Sequence, residues 1–372
     1  MTRDEVKEEI VRVLPPHPHG RIIAAPRTGK TAIAIELIKK NKPKSILWVT
    51  PSADLAQIGI VEEFSKWKAK AYIKKLTTVT YTSLNTIKGF YEMVILDEEQ
   101  FVTMNNVQNL IDGSLKYGYI LTLTGTKAKT LEKNEIYNLL NLHILYELDL
   151  TSAVDMGLLS NYVIKVVKIP LSDKLMVECG NDKKRFLQSE RKRYQYLSQL
   201  VENSKFDDFT TRKFRILNRM RAIYDSPSKN VVLKYLSQHL YGRKMYFCSS
   251  IKQADDICQY SYHSKTTNKD LLKFISGEIN EISMVNAGTV GFTYKAIDNL
   301  IISQVNSDNV GSTTQKICRA LLKQHNYDAC IWILCLQDTQ DELWVESTLK
   351  NFDSNKIEIL YYGKNNRIVT EL

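Results

Sequence analysis

The chain has 372 residues, 44% hydrophobic and 25% charged, a balance that excludes intrinsic disorder and, at roughly 100–200 residues per domain, implies two or three folded domains. Its 51 Lys and Arg against 41 Asp and Glu leave a formal net charge of +10, which favours a polyanionic partner. No stretch approaches the roughly 18 apolar residues of a membrane-spanning helix, so no membrane partner is expected.

The opening residues, MTRDEVKEEIVRVL, are charged and amphipathic without an apolar core of signal-peptide length, and the expectation is a cytoplasmic protein. From residue 21 apolar runs alternate with amphipathic ones: RIIAA as a strand, TAIAIELIKK as a helix, SILWVT as a strand, DLAQIGIVEEF as a helix and MVILDEE as a strand. Such alternation reads as βαβ units, and the continuous apolar runs at Met93 to Leu96 and Tyr119 to Leu123 suit parallel strands buried on both faces. Between about Ser172 and Ser228 the texture becomes charged and helical, as in KKRFLQSERKRYQYLSQLVEN and FTTRKFRILNRMRAIY. Strand-like runs then resume with KMYFCSS, EISMVNA, NLIISQV and ACIWILCL, so a second α/β domain follows. The predicted division is 1–165, an ATP-binding domain; 166–230, a helical linker or insertion; and 231–372, a second α/β domain. Six cysteines, Cys179, Cys248, Cys258, Cys318, Cys330 and Cys335, fall at no metal-ligand spacing and read as reduced thiols.

The chemistry lies at two strand ends. AAPRTGKT, Ala24 to Thr31, follows one predicted strand and opens a predicted helix, the setting in which the loop Ala25, Pro26, Arg27, Thr28 and Gly29 can cradle phosphates through the backbone N–H groups of all but Pro26. Lys30 would reach the β- and γ-phosphates of ATP as a point charge, and the Thr31 hydroxyl would hold Mg²⁺. Ala24 stands where the usual pattern has its first glycine. The second strand end is MVILDEEQ, Met93 to Gln100, where Asp97 would orient Mg²⁺ and Glu98 would position and deprotonate the attacking water. Either element alone also reads as an ordinary basic helix start or a solvated acidic strand end; together they predict an ATPase.

With these two in place the chain resembles the superfamily-two helicases of the DExH type, closest to phage and bacterial branch-migration or repair DNA helicases. The resemblance implies an α/β fold with two RecA-like parallel-sheet motor domains in tandem and ATP clamped between them. TPSADLAQ, with Thr50 and Pro51, and TYTSL, with Thr80 and Ser83, resemble motifs that touch the nucleic-acid backbone. LTGT, with Thr124 and Thr126, resembles the motif coupling hydrolysis to domain movement. MYFCSS, with Ser249, and VNAGTVGFTYKAID, with Asn286 and Gly291, resemble second-domain motifs, of which Gly291 is implied at the nucleotide. STTQKICRALL resembles the motif that brings Gln315 and Arg319 to ATP, Arg319 as the arginine finger. The sequence departs from the family pattern at Cys318, usually Gly, at Leu322, usually Arg with Lys323 as a substitute, and at Gln100, usually His. No glutamine precedes Gln57, so an upstream adenine-reading glutamine is missing.

Arg185, Arg191, Lys192 and Arg193, then Arg212, Lys213, Arg215, Arg219 and Arg221, load the middle segment with positive charge, interleaved with Tyr194, Tyr196 and Phe214. One at a time these read as a solvated helix face; as a cluster they suit phosphate contact with occasional base stacking. The expected activity is a nucleic-acid-dependent ATPase working as a DNA helicase or translocase on forks, junctions or R-loops, in a bacterial or phage-infected cytoplasm, with a protein partner supplying specificity. An RNA helicase is the alternative within the same machinery, and an ATP-gated nucleic-acid clamp, motivated by Cys318 and Leu322, is the alternative outside it.

Overall fold

The computed structural model describes residues 2–53, 55–125, 127, 130–181, 184–285, 295–305, 312–321, 328–363 and 367–370. The chain divides into two compact units, one of Met1–Ser160 with Val290–Phe292 and Asn309–Lys323, the other of Asn161–Thr289, Thr293–Asp308 and Gln324–Leu372.

The first unit is built on six strands, β1 (Gly20–Ala24), β2 (Ile46–Thr50), β3 (Leu76–Thr80), β4 (Gly89–Asp97), β5 (Leu115–Thr124) and β6 (Ile144–Leu148), in the order β3-β2-β4-β5-β1-β6. Every pairing is parallel, so all the strands end on one edge of the sheet. The pairing explains the composition: β1 and β2 are buried along their whole length, as are Met93 to Leu96 of β4, because helices cover both faces. Those helices are α1 (Arg3–Val13), α2 (Lys30–Asn41), α3 (Ile60–Lys66), α4 (Met104–Ile111), α5 (Leu131–Leu139) and α6 (Leu150–Asp155). Thr2 and Glu5 close α1 with a reciprocal capping box, and Thr103 and Asn106 do the same for α4. A π-helical turn, Leu55–Gly59, precedes α3 inside the stretch read as a single helix.

The second unit carries an eight-stranded sheet in the order β11-β12-β10-β13-β14-β7-β15-β16. Its strands are β7 (Tyr162–Ile169), β10 (Lys244–Cys248), β11 (Ser261–Tyr262), β12 (Glu281–Val285), β13 (Asn299–Ile302), β14 (Ala329–Leu336), β15 (Ile357–Tyr362) and β16 (Ile368–Val369); only the last runs antiparallel. A separate antiparallel hairpin, β8 (Met176–Asn181) with β9 (Lys184–Ser189), precedes α7 (Glu190–Glu202) and α8 (Phe209–Tyr224). Then come α9 (Pro227–His239), α10 (Ile251–Ile257), α11 (Lys269–Ser276), α12 (Ser312–Cys318), which groups with the first unit, and α13 (Gln340–Leu349). The helical reading of KKRFLQSERKRY begins too early: the Ser189 side chain accepts from Lys192 N at 3.4 Å and starts α7 at Glu190, while Arg185 to Gln188 pair with β8.

One ion pair lies at the heart of this unit. Lys229 and Asp341 meet at 2.7 Å, both side chains fully buried, and Lys229 Nζ also donates to the Ser303 carbonyl at 2.9 Å. Asp341 accepts from Leu336 N at 2.9 Å, so α9, α13 and the ends of β13 and β14 are tied through two side chains. All six cysteines are free thiols, and among the described residues no helix is long and apolar enough to cross a membrane.

Candidate nucleotide site

Three adjacent strands of the first unit, β4, β5 and β1, end side by side, with Asp97 opposite Leu123 and Ile23 opposite Thr124. The loops that follow them are thereby brought to one edge, the carboxyl edge where parallel sheets bind ligands. The loop after β1 is held by Thr28, whose amide and hydroxyl both donate to the Ala25 carbonyl, at 3.2 and 2.6 Å. Arg27 (φ 73°) and Gly29 (φ 95°) take left-handed conformations, which turn successive amides to one side. Gly29 also begins α2 with no side-chain cap, leaving the helix's first N–H groups to the space before it. Lys30 and Thr31 are the first two residues of that helix. Gly125, after β5, sits so close to the loop that a Cβ there would meet Pro26 at 2.8 Å and Lys30 Nζ at 3.3 Å.

Opposite the loop stand the carboxylates. Burial and the neighbouring Glu98 charge push Asp97 up to about 7, against the pull of Lys30. Glu98 is a left-handed residue (φ 55°, ψ 65°), and its carboxylate collects donors: Gln100 Nε2 at 2.9 Å and Gln315 Nε2 at 3.1 Å both donate to Oε2. Lys30 Nζ lies 3.8 Å from Oε1. Thr124 Oγ1 donates to Gln100 Oε1 at 3.1 Å, so the end of β5 holds the same amide that holds Glu98. Tyr81 of the TYTSL run donates its hydroxyl to the Asp97 carbonyl at 2.8 Å.

The third acid of DEEQ faces inward. Glu99 is buried and accepts from Arg21 Nε at 3.1 Å and Nη2 at 2.6 Å, from Tyr137 OH at 3.1 Å, and from the Thr122 hydroxyl. The Arg21 guanidinium also lies over the Tyr137 ring, 3.5 Å from its centroid. This network fixes the backbone immediately after Glu98 and offsets the local cost of its left-handed conformation. Nothing in the DEEQ string distinguishes a buried Glu99 from an exposed one; Arg21, a lone cation in the apolar run RIIAA, was the available sign.

From α12, Gln315 reaches Glu98 as described, and Cys318 is buried within the fields of Lys30, Arg27 and Arg319. Burial pushes the Cys318 thiol up to about 12 while those cations pull it down, so Arg319 belongs to the same cationic neighbourhood as the loop. Of the residues expected at nucleic acid, Thr50 is fully buried, its hydroxyl donating to the Ser52 carbonyl at 2.9 Å, and Pro51 is half-buried. Thr80 and the exposed Ser83 share a hydroxyl contact of 3.1 Å, whereas Ser249, in the second unit, donates to the Tyr224 carbonyl at 2.8 Å. Thr126, Asn286, Gly291, Leu322 and Lys323 lie outside the described residues.

The residues present fit a magnesium nucleotide. An uncapped helix start with Lys30 suits a polyphosphate, and the adjacent carboxylates of Asp97 and Glu98, whose charges oppose one another, would be relieved by a divalent cation. Asp97 and Thr31 offer the hard oxygen donors that Mg²⁺ prefers.

No family model matches the sequence, and neither does any curated protein. Solved structures do match. The Hef helicase domain of Pyrococcus furiosus superposes with a TM-score of 0.52 at 14% identity, over 93% of this chain and 97% of that one. LlaBIII, an ATP-dependent Type ISP restriction-modification enzyme solved bound to DNA, superposes with a TM-score of 0.61 at 11% identity over 98% of this chain. The match covers 31% of the LlaBIII chain, so this protein spans about a third of that enzyme's length. At such identities the likeness concerns the fold, and the fold of the chain is that of helicase domains: α/β, with a six-stranded parallel sheet and a mixed one.

Proposed function

We propose that the protein is a nucleic-acid-dependent ATPase of the DExH helicase type, working as a DNA helicase or translocase. The observation that carries this reading is the meeting of Lys30, Glu98 and Gln315 at the carboxyl edge of a helicase-like sheet. Ala25 to Thr31 would wrap the phosphates, with Lys30 neutralising charge as it develops on the transferred group. Glu98 would align the attacking water and accept its proton, held in aim by Gln100 and Gln315. Arg319 is the arginine-finger candidate, and Gly291 a further nucleotide contact. Mg²⁺, when bound through Asp97 and Thr31, supplies charge neutralisation at the phosphate oxygens.

Residues 1–165 would form the ATP-binding domain, 166–230 the accessory segment and 231–372 the second motor domain. Thr50, Pro51, Thr80, Ser83, Ser249 and Asn286 would form the nucleic-acid path, Thr50 and Ser249 by positioning their neighbours, because their hydroxyls, the Thr50 carbonyl and the Ser249 amide all bond internally. DNA is favoured over RNA because one of the similar structures is described as bound to DNA. A role in repair or recombination, and a bacterial or phage-infected cytoplasm as its setting, belong to the same proposal.

The test is ATP hydrolysis by the wild type and Glu98→Gln, each with no nucleic acid, single-stranded DNA, forked DNA and RNA. Stimulation by one of them, lost in the variant, is expected. Nucleic-acid binding that responds to ATP without any stimulated turnover would replace the motor with an ATP-gated clamp.

A further inference from the structure

The turn joining α7 to α8 presents two phenylalanines to solvent, Phe206 at 99% exposure and Phe209 at 80%. The turn itself is well bonded. Asp207 N donates to the Ser204 carbonyl at 3.1 Å, Asp208 caps α8 by accepting from Thr211 N at 3.0 Å, and Asp207 pairs with Arg215 at 2.8 Å. Its own hydrogen bonds therefore hold the backbone that displays the rings, and both acids of the turn are occupied in doing so. What remains outward is cationic: α8, FTTRKFRILNRMRAIY, has no Asp or Glu and, besides the paired Arg215, four Lys and Arg. Arg212, Lys213 and Phe214 are exposed beside Phe209, and Lys213 Nζ lies 6.0 Å from the centre of the Phe209 ring.

We propose that this turn is a stacking site for the unpaired bases of a nucleic-acid strand. Phe206 and Phe209 each offer a ring to a base face, and Arg212 and Lys213 take the flanking phosphates. The composition favours a nucleic-acid strand over an apolar protein partner: Asp207 and Asp208, between the two rings, are held in the turn's own bonds, and the exposed side chains that follow Phe209 on α8 include Arg212, Lys213 and Phe214, cations and a ring together, as a strand's phosphates and bases require. Phenylalanine has no hydrogen-bonding edge, so the site would not select sequence. The inference rests on the nucleic-acid reading above and adds a site outside the ATPase machinery.

The experiment compares wild type with F206A/F209A, F206L/F209L and F206W/F209W. All these positions are solvent-facing, and thermal melts check that the folds match. Binding is measured to a 2-aminopurine-labelled single-stranded oligonucleotide and to a blunt duplex of equal length, with basal ATP hydrolysis and sedimentation alongside. The alanine and leucine pairs should each lose about ten-fold or more in single-strand affinity per phenylalanine, with the loss of the fluorescence change, while the tryptophan pair retains both. Duplex affinity and basal hydrolysis should hold. Leucines that bind like wild type, alanines that bind like wild type, or a wild-type oligomer that the alanines dissociate would each overturn the stacking site while leaving the ATPase reading intact. Wild type that binds no nucleic acid at all would overturn both.

Discussion

Asp97→Asn should stabilise the protein at alkaline pH and much less at acid pH. Folding moves the Asp97 carboxyl from an ordinary value of 3.8 to about 7, chiefly through burial and then through the Glu98 charge. A carboxyl whose folded value is raised favours the native state only while protonated, so the penalty accumulates as pH rises from about 4 to about 7. At about 1.4 kcal/mol per unit, the ionised group costs the fold about 2 kcal/mol at pH 5 and about 4 kcal/mol at pH 8. The amide carries no charge and leaves the Tyr81 bond to the Asp97 carbonyl untouched. Equilibrium urea unfolding of both proteins in EDTA should therefore show the advantage of the variant growing by about 2–3 kcal/mol between pH 5 and pH 8. An advantage independent of pH would refute the buried-charge reasoning; a variant less stable than wild type at pH 8 would do so more strongly. Adding Mg²⁺ with nucleotide should shrink the difference, since the cation neutralises the same charge.

Other consequences are direct. Glu99→Gln leaves Arg21 buried without its counter-charge and should lower stability by about 3–5 kcal/mol, read as a drop in urea midpoint, whereas Arg21→Met with Glu99→Leu should recover much of the loss. Gly125→Ala places a methyl 2.8 Å from Pro26 and 3.3 Å from Lys30 Nζ, so the KM for ATP should rise about ten-fold with little change in melting temperature. Gln100→Ala removes a donor to Glu98 and the link to Thr124, and steady-state kinetics should show kcat falling about ten-fold with KM for ATP nearly unchanged.

Sequence periodicity located the central strands of both sheets because β1, β2, β10, β12, β13, β14 and the ends of β4 and β5 are short apolar runs that are largely buried. The β8–β9 hairpin escaped it: Lys184 to Leu187 are exposed on both faces, so no apolar alternation marks them, and their charge made them resemble the helix that follows. That Lys30 and the Asp97–Glu98 pair would stand at nearby strand ends was legible because phosphate chemistry constrains residue type and spacing together. The supporting bonds were not. That Tyr81 holds the Asp97 carbonyl, or that Gln100 joins Thr124 to Glu98, depends on which strands are neighbours, and strand order is not written in any single run of residues. Thr50 shows the converse: its position in TPSADLAQ suggested contact with nucleic acid, yet at the end of a fully buried strand its hydroxyl turns back to Ser52.

Glu98 and a nucleotide would compete for Lys30, and the competition can be measured. Lys30 Nζ stands 3.8 Å from Glu98 Oε1, while the other oxygen, Oε2, is taken by Gln100 and Gln315. Phosphates drawing Lys30 toward them would break that ion pair and release Oε1, the oxygen left to receive a proton from water. Both side chains are largely but incompletely shielded, so the pair is worth about 1 kcal/mol, and its loss sets against ATP affinity by the same amount. Glu98→Gln removes the competitor while preserving shape, and should bind ATP about five-fold more tightly than wild type even as turnover disappears. Titration with a fluorescent ATP analogue at low and high salt separates the contributions, since a partly exposed ion pair weakens with ionic strength and the gain should narrow accordingly. Equal affinity at low salt would mean that Lys30 already points away from Glu98 when the nucleotide arrives, and that some other event frees the carboxylate for catalysis.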